Sequence, residues 1–198
     1  MGLKLIGITG KARSGKDTFA RILVEDHGFK RMAFADPVKV ASAIIFGWPI
    51  EQVFDDSFKT FRSDYWWLTV REAFQRVGTE AIRGEFGDDH WIKRWLLDYS
   101  RVKDVMSVVV ADVRSEAEAE AVRGLGGMIV HLHRDKAGLQ GSEGQHSSEA
   151  GIAFGERDIN IDNNGALHEL ERQVHILIQF IERHAAETGL RNEMAPAK

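Results

Sequence analysis

The sequence predicts an α/β fold in which helices cover both faces of a parallel sheet. Short apolar runs rich in β-branched residues alternate along the chain with longer segments of helical periodicity, which is the pattern of parallel strands joined by crossover helices. The chain has 198 residues, of which 43% are hydrophobic and 28% charged, values usual for a folded globular protein. A chain of this length buries about 70% of its extended surface, so one domain is expected over residues 1–198.

Five segments are predicted to be strands of this sheet. The clearest is Ser107–Val110, which is almost entirely valine. A short apolar run bounded by turn residues is typical of a strand buried on both faces. The predicted strands are Leu3–Gly10, Phe29–Phe34, Met106–Ala111, Met128–His133 and Ile159–Asp162.

Helices are predicted between these strands. Gly28 is a natural C-cap for the first helix, and Asp36 is placed to cap the second, with Pro37 in its first turn. The predicted helices are Lys16–His27, one beginning at Asp36, the mostly helical stretch Ser63–Tyr99 with a break at Gly84–Gly87, Glu116–Leu125, and Ala166–Glu187 followed by a frayed tail after Gly189.

Composition excludes several classes of function. The net charge of −4 argues against a general nucleic-acid binder, which carries a basic footprint. The absence of cysteine excludes disulfides, zinc–thiolate sites and cysteine nucleophiles. No apolar run approaches the roughly 20 residues of a membrane helix, and Met1–Ile8 is short and has no cleavage site of the signal-peptide type. A cytoplasmic protein without a membrane or nucleic-acid partner is therefore expected.

The segment Gly10–Asp17 has the spacing of a phosphate-binding loop. It follows the first predicted strand and opens the first predicted helix, with a glycine at each end and Lys16 after the second glycine. Glycines let backbone N–H groups approach phosphate oxygens, and the helix N-terminus adds partial positive charge. Lys16 is expected to reach the β- and γ-phosphates of a nucleotide.

Two aspartates are candidates for binding a magnesium ion. Asp17 stands where the motif usually has Ser or Thr, and Asp112 directly follows the valine-rich strand. Carboxylate oxygens suit hard cations. The alternatives are a first-turn acid that favours the helix dipole, for Asp17, and an ordinary turn acid, for Asp112.

Basic and amide residues follow the other predicted strands. Arg114 and Arg134 are either phosphate clamps or solvated arginines. Arg134 begins a glycine-rich stretch that is expected to form a lid over about 134–157. Asn163 and Asn164 form either a tight turn or a loop against an adenine ring.

The segment Arg71–Arg83 is a candidate for binding a second substrate. Gln75 lies one turn beyond Arg71, and Arg83 shares a helix face with Glu80. Arginine binds phosphate bidentately, whereas the alternative is a surface helix with ion pairs. Trp91 continues an apolar stripe and is expected in the core.

Together these motifs resemble the phage-type deoxynucleoside monophosphate kinases of the adenylate-kinase-like group. The resemblance runs in order from about residue 3 to residue 180. The segments that carry it are Gly10–Thr18, Phe34–Pro37 with Lys39, Arg71-Glu72 with Gln75, Gly78–Glu80, Asp88–Ile92, Ala111–Arg114, His146 with Ser148-Glu149, and Asn163–Gly165.

The resemblance implies a P-loop three-layer sandwich with a five-stranded parallel sheet, a helical monophosphate-binding region over about 36–100, and a lid. It implies ATP and Mg²⁺, a deoxynucleoside monophosphate as acceptor, the host cytoplasm, and a monomer or homodimer. The implied ATP-binding residues are Gly10, Lys11, Arg13, Ser14, Gly15, Lys16, Asp17, Thr18, Arg134, Asn163 and Asn164. The implied acceptor-binding residues are Asp36, Lys39, Arg71, Gln75, Thr79, Glu80, Arg83 and Trp91. The implied catalytic residues are Lys16, Asp36, Arg114 and Arg134, with Asp17 and Asp112 as metal ligands.

Three other functions remain open from the sequence. A kinase for a modified nucleotide, such as one hydroxymethylated on its base, would use the same motifs. Asp17 is also found in phosphomevalonate kinases, whose acceptor has no base. A nucleotide-binding regulator would turn over little, but the two separate clusters around Arg71 and Arg134 favour a two-substrate transferase.

Overall fold

A computed structural model describes residues 4–135, 137 and 151–193, with side chains as far as 183. The strands are β1 (Leu5–Thr9), β2 (Lys30–Met32), β3 (Arg62–Ser63), β4 (Leu68–Thr69), β5 (Val108–Val110), β6 (Met128–His133) and β7 (Ile159–Asp162). The α-helices are α1 (Lys16–His27), α2 (Asp36–Phe46), α3 (Ile50–Val53), α4 (Val70–Gln75), α5 (Gly84–Phe86), α6 (His90–Ser100), α7 (Glu116–Gly124) and α8 (Leu167–Glu193). A 3₁₀-helix covers Asp56–Thr60 and a π-helix covers Arg76–Arg83.

The chain divides into two compact units. One, the sheet unit, comprises Met1–Arg31 and Lys103–Lys198, and the other, the helical unit, comprises Met32–Val102. Within the described residues, no helix is both long enough and apolar enough to cross a membrane.

The five-stranded sheet has the order β2-β5-β1-β6-β7, and β1 pairs in parallel with both β5 and β6, as β6 does with β7. All five residues of β1 are buried. Helices α1 and α8 cover one face through side chains such as Phe19 and Leu170. On the other face α7 packs on β1, where a Cβ at Gly7 would lie 3.5 Å from Val122 on α7, and it would lie only 2.7 Å from Ile129 on the neighbouring strand β6. The sheet and its two helical layers confirm the predicted three-layer α/β fold.

Several predicted boundaries in the sheet unit agree with the structure. The bounds of α1, β6 and β7 are those predicted, and Gly28 ends α1 in the left-handed conformation, with φ +67°. The expected fraying after Gly189 is wrong, because α8 continues to Glu193. One glycine costs a helix only about 1 kcal/mol, and its neighbours here are mostly good helix formers. Most of the predicted lid over about 134–157 lies outside the described residues, as do His146 and Glu149.

The helical unit departs from prediction in three places. Ala35, not Asp36, is the N-cap of α2, and no side chain caps that helix. A turn from Ala33 to Asp36 already gives Ala35 helical torsion angles, whereas side-chain capping needs an extended N-cap residue. Pro37 does lie in the first turn. The predicted helix from Ser63 begins instead at Val70, because β3 and β4 pair as an antiparallel hairpin.

The predicted break at Gly84 is also displaced. Gly84 has helical torsion angles, and the helical run ends at Gly87, which has φ +96°. The hydrophobic centre of this unit contains Trp91 and Trp95, which are 6% and 1% exposed, so the expected core position of Trp91 is confirmed. Trp66 and Trp67 lie at the surface of the hairpin turn.

Candidate nucleotide-binding site

The loop between β1 and α1 is shaped by backbone conformation and close packing. Gly10, Arg13 and Gly15 all have positive φ, at +146°, +63° and +103°. A Cβ at Gly10 would lie 2.3 Å from the carbonyl oxygen of Leu132, and a Cβ at Gly15 would lie 2.3 Å from Nδ2 of Asn163. The two glycines are therefore required by space as well as by torsion angle.

The side chain of Lys16 folds over this loop. Its ammonium group donates to the carbonyl oxygens of Gly10 and Lys11, at 2.7 and 2.8 Å. A cavity of about 220 Å³ lies beside the loop, and its lining includes Gly10, Lys11, His131 and Arg134. The structure thus brings three predicted ATP-binding residues, Gly10, Lys11 and Arg134, to one cavity. The ammonium group of Lys16 is held against the backbone of the same loop.

Asn163 holds the loop from the end of β7. Its side-chain amide donates to the carbonyl oxygen of Ser14 at 2.8 Å, and its backbone N–H donates to the carbonyl oxygen of His133 at 2.8 Å. Both Asn163 and Ser14 are buried. The resemblance places Asn163 near an adenine ring, whereas the structure gives its amide group a structural partner in the phosphate loop. This contact could not be read from sequence, since the two residues are 149 positions apart.

Asn164 makes a second link at the same edge of the sheet. Its side-chain oxygen accepts a hydrogen bond from the backbone N–H of Asp135 at 2.8 Å, and its own backbone N–H donates to Asp162 at 3.0 Å. Asp135 follows Arg134 directly, so Asn164 fixes the chain where the predicted lid begins. Arg134 itself is exposed.

The two predicted metal ligands lie after different strands of the sheet unit. The carboxylate of Asp17 is 79% exposed and lies 3.2 Å from a guanidinium nitrogen of Arg31. Asp112 is half-buried beyond β5. Among the described residues no three His, Cys, Asp or Glu side chains form a metal cluster. Magnesium on a nucleotide needs only one or two protein carboxylates besides phosphates and water, so these residues fit that ion.

Arg114 lies in the turn that begins α7. Its backbone N–H donates to the carboxylate of Glu118 at 2.7 Å, while its side chain is exposed. Glu118 also completes a capping box with Ser115. The backbone at Arg114 is thus held in place, and its guanidinium is available to solvent. Arg13, Lys11 and Thr18 of the phosphate loop are exposed or half-buried.

A buried carboxylate network, absent from the sequence predictions, ties the chain before β7 to α7. Asp158 accepts hydrogen bonds from Arg123, His131 and the backbone N–H groups of Ile129 and Gly155. Burial alone would raise the pKa of Asp158, but these donors hold that pKa well below its usual value. Arg123 and Asp158 are 35 residues apart, so no local pattern in the sequence could reveal the pair.

The predicted acceptor-binding residues lie in the helical unit on four elements, which are α2, α4, the π-helix and α6. Asp36 and Lys39 are near neighbours on α2, with 3.7 Å between carboxylate and ammonium, and Asp36 and Trp91 both line a cavity of about 430 Å³. Trp91 lies on α6 and donates its indole N–H to the carbonyl oxygen of Gly78 at 2.8 Å. The remaining members lie along α4 and the π-helix, and they are Arg71, Gln75, Thr79, Glu80 and Arg83.

Solved structures with this architecture are kinases. The dephospho-CoA kinase from Campylobacter jejuni superposes with a TM-score of 0.52 at 16% identity, covering 91% of this chain and 98% of that one. A gluconokinase from Sinorhizobium meliloti gives a TM-score of 0.50 at 17% identity, covering 93% and 97%. At these identities the likeness shows that the chain shares its fold with this class of enzymes.

Comparison of sequences assigns the chain to one family within that class. A family model described as deoxynucleotide monophosphate kinase matches residues 4–63 and 49–174. A protein of Acanthamoeba polyphaga mimivirus provisionally named a deoxynucleotide monophosphate kinase is 30% identical over 183 residues, covering 86% of this chain and 93% of its own length. The deoxynucleotide monophosphate kinase of Enterobacteria phage T4 is 26% identical over 235 residues, covering 85% and 95%. The chain belongs to the deoxynucleotide monophosphate kinase family.

Proposed function

We propose that the protein transfers the γ-phosphoryl group of ATP to the phosphate of a deoxynucleoside monophosphate, forming a diphosphate and ADP. The observation that carries the proposal is the loop Gly10–Lys16, whose glycine geometry, lysine position and helix N-terminus suit a nucleotide phosphate. Membership of the deoxynucleotide monophosphate kinase family supports the choice of acceptor.

The reaction needs alignment and charge neutralisation more than proton transfer. A phosphate monoester has its second pKa at about 6, so the attacking oxygen is already ionised at neutral pH. Lys16, Arg114 and Arg134 would balance the charge of the transferring phosphoryl group. To do so, the ammonium group of Lys16 must give up its hydrogen bonds to the loop carbonyl oxygens and form hydrogen bonds to phosphate oxygens instead.

Asp17 and Asp112 would hold Mg²⁺, directly or through water. When bound, the ion neutralises charge on the β- and γ-phosphates. The exposed carboxylate of Asp17, at the first turn of α1, suits this role, provided that Arg31 releases it. These assignments rest on donor chemistry and on position after the strands.

The helical unit would supply the acceptor site. Its observed extent, Met32–Val102, supports the predicted acceptor region at about 36–100, within one kinase domain over 1–198. Substrates of this kind belong to the cytoplasmic nucleotide pool, and we place the protein there, in the host cell if it is phage-encoded. We further propose a monomer or homodimer, which sedimentation of the purified protein would decide.

The test is ADP release by purified protein with ATP and Mg²⁺ and a panel of acceptors. The panel contains the four common deoxynucleoside monophosphates, their ribose counterparts, a hydroxymethylated deoxynucleotide and phosphomevalonate. We expect release stimulated by one or more of the common deoxynucleotides. If only the hydroxymethylated nucleotide or only phosphomevalonate stimulates ADP release, the proposed acceptor is wrong and that compound is the acceptor instead. ATP binding without release in any arm would indicate a binding protein and contradict the proposal.

A further inference from the structure

The helical run from Val70 to Phe86 changes its winding in the middle. It begins and ends as α-helix, but the eight residues Arg76–Arg83 form a π-helix. In this part hydrogen bonds reach five residues back, as from the N–H of Gly84 to the carbonyl oxygen of Thr79. π-Helical turns are rare and concentrate at functional sites. The π-helix in this run is therefore expected to have both a structural reason and a function.

The apolar side of the run has a spacing that an α-helix does not accommodate. Its buried and half-buried positions include four residues that are four apart, namely Val70, Phe74, Gly78 and Ile82. An α-helix advances about 40° for each step of four residues, so three steps would turn the side through about 120°. A π-helix has more than four residues in each turn and reverses this drift.

Contacts within the helical unit show that the apolar side stays on one face. A Cβ at Gly78 would lie 3.1 Å from Val38 on α2, and the carbonyl oxygen of Gly78 accepts the indole N–H of Trp91 on α6. Val77 and Gly78 are both buried. At Gly78 the π-helix therefore packs against both α2 and α6, in the middle of the apolar side.

The same winding aligns a second set of residues on the neighbouring face, about 100° around the helix from the apolar side. Four polar side chains are also spaced four apart, and they are Arg71, Gln75, Thr79 and Arg83, called here the polar row. The first three are exposed and Arg83 is half-buried. In a continuous α-helix Arg83 would point about 120° away from Arg71. With the π-helix, the two guanidinium groups lie at the two ends of one row.

We propose that the π-helical winding, by holding Arg71 and Arg83 on one line, sets how the expected acceptor-binding residues of the polar row recognise the acceptor. This inference rests on the proposed function. Two guanidinium groups favour a phosphate-bearing ligand, and the amide and hydroxyl between them can read a base edge or a sugar. Among the described residues, Nε of Arg83 is buried without a hydrogen-bond partner, and a bound acceptor would supply one.

The first test is a series of point variants with each substrate titrated separately. For Arg71→Ala and Arg83→Ala we expect KM for the deoxynucleoside monophosphate to rise about tenfold or more, as for loss of a charged hydrogen bond. For Thr79→Val we expect about threefold, and in all three KM for ATP stays within about twofold. The matched control is Arg76→Ala, which removes the same charge from an exposed position of the same run, off the row.

The control separates local recognition from general electrostatic attraction. If Arg76→Ala raises the acceptor KM as much as Arg83→Ala does, the polar row is not the recognition surface. If Arg83→Ala changes only KM for ATP, the proposal is also wrong. Circular dichroism and the Tm of each variant show whether the helical unit is folded.

The second test removes the extra residue on which the winding depends. Deletion of Ala81, which is exposed, allows the run to close as an α-helix with Arg83 near the row but Thr79 turned about 80° from Arg71. We expect a higher acceptor KM, an unchanged ATP KM, and no further effect of Thr79→Val in this background. An unchanged acceptor KM in a folded deletion variant would overturn the role of the winding. If the deletion variant does not fold, the point variants alone decide.

The failure of this inference is distinguishable from failure of the proposed function. If wild-type protein releases no ADP with any deoxynucleotide, the proposed function fails, and equilibrium dialysis with each of the four common deoxynucleoside monophosphates tests the polar row directly. If the wild type turns over but the row variants match Arg76→Ala, only the inference fails.

Discussion

The two units are proposed to bind their ligands by different means. In the sheet unit the loop Gly10–Lys16 is shaped by positive torsion angles and by a buried amide from Asn163. In the helical unit half of the acceptor candidates are exposed side chains, namely Arg71, Gln75, Thr79 and Glu80, and packing constrains the winding of the helix that carries them. The sheet unit therefore presents the backbone groups of a loop with a fixed conformation, whereas the helical unit presents side chains that lie in a row along a helix.

This difference follows from what each unit is proposed to bind. The phosphates of a donor nucleotide are the same in every kinase, and backbone N–H groups and one lysine are enough to recognise them. Acceptors differ from one kinase to the next, so their recognition depends on side chains that can be exchanged while the packed face is kept. The loop is accordingly the part of this protein that sequence spacing predicts best.

Loss of the loop lysine should give the largest effect. We expect Lys16→Ala to lower turnover at saturating ATP by about a hundredfold or more, because the substitution removes a charge that would stabilise the transferring phosphoryl group. The fold should persist, since the lysine is half-buried and donates to two carbonyl oxygens of its own loop. Turnover is measured as ADP release, with Tm as control, and near-normal turnover would contradict the role of Lys16.

Substitution of Asp158, the buried carboxylate of the sheet unit, should give the next largest effect. We expect this substitution to change stability and not turnover. Asp158→Asn is expected to lower the free energy of unfolding at neutral pH by about 2 kcal/mol, or roughly thirtyfold in the folding equilibrium. Urea titrations measure this loss. Glu156→Gln, which changes an exposed neighbour, is the control and should have little effect.

The same carboxylate predicts a pH dependence. Because the pKa of Asp158 is lowered in the folded protein, its contribution is complete above the unfolded pKa of about 4 and is lost as the pH falls below it. Between pH 6 and pH 3 the wild type should therefore lose more stability than Asp158→Asn. Equal losses in the two proteins would show that another group governs the acid response.

Substitution of Asn163 tests whether ATP binding depends on the backbone conformation of the loop Gly10–Lys16. Asn163→Ala removes a buried hydrogen bond to the carbonyl oxygen of Ser14, so we expect KM for ATP to rise about tenfold with the acceptor KM unchanged. If the side chain holds the loop, activity with GTP as donor falls by the same factor as activity with ATP. A change in the ATP-to-GTP ratio would instead indicate contact with the base.

The smallest predicted effects come from removing the equivalent helix caps of the two units. Thr69 and Glu72 form a capping box at the start of α4, as Ser115 and Glu118 do for α7. Each of Thr69→Ala and Ser115→Ala should cost about 1 kcal/mol of stability, measured by urea unfolding. Only Thr69→Ala should raise the acceptor KM, by about twofold to fivefold. The opposite pattern would place acceptor recognition outside α4.

The sequence predicted those elements whose signals are local. The bounds of α1, β6 and β7 follow from short apolar runs and from a glycine at the end of the helix, so no distant residue was needed to find them. The phosphate loop was recognisable because all its requirements fall within eight consecutive positions, Gly10–Asp17.

Features that depend on distant partners were not predicted. The hairpin of β3 and β4 replaced the start of an expected helix, because its pairing is decided by the packing of short strands rather than by periodicity. The π-helix packs at Gly78 against Val38 and Trp91, which lie 40 and 13 positions away in the chain. The link between Arg123 and Asp158 joins residues 35 positions apart.

The distribution of tryptophan gives the protein a built-in optical reporter. All five tryptophans, at positions 48, 66, 67, 91 and 95, belong to the helical unit. Trp91 and Trp95 are shielded from water, whereas Trp66 and Trp67 are exposed, so blue-shifted and red-shifted emission come from different parts of that unit. Because the sheet unit contains no tryptophan, intrinsic fluorescence reports the state of the helical unit alone, without any label.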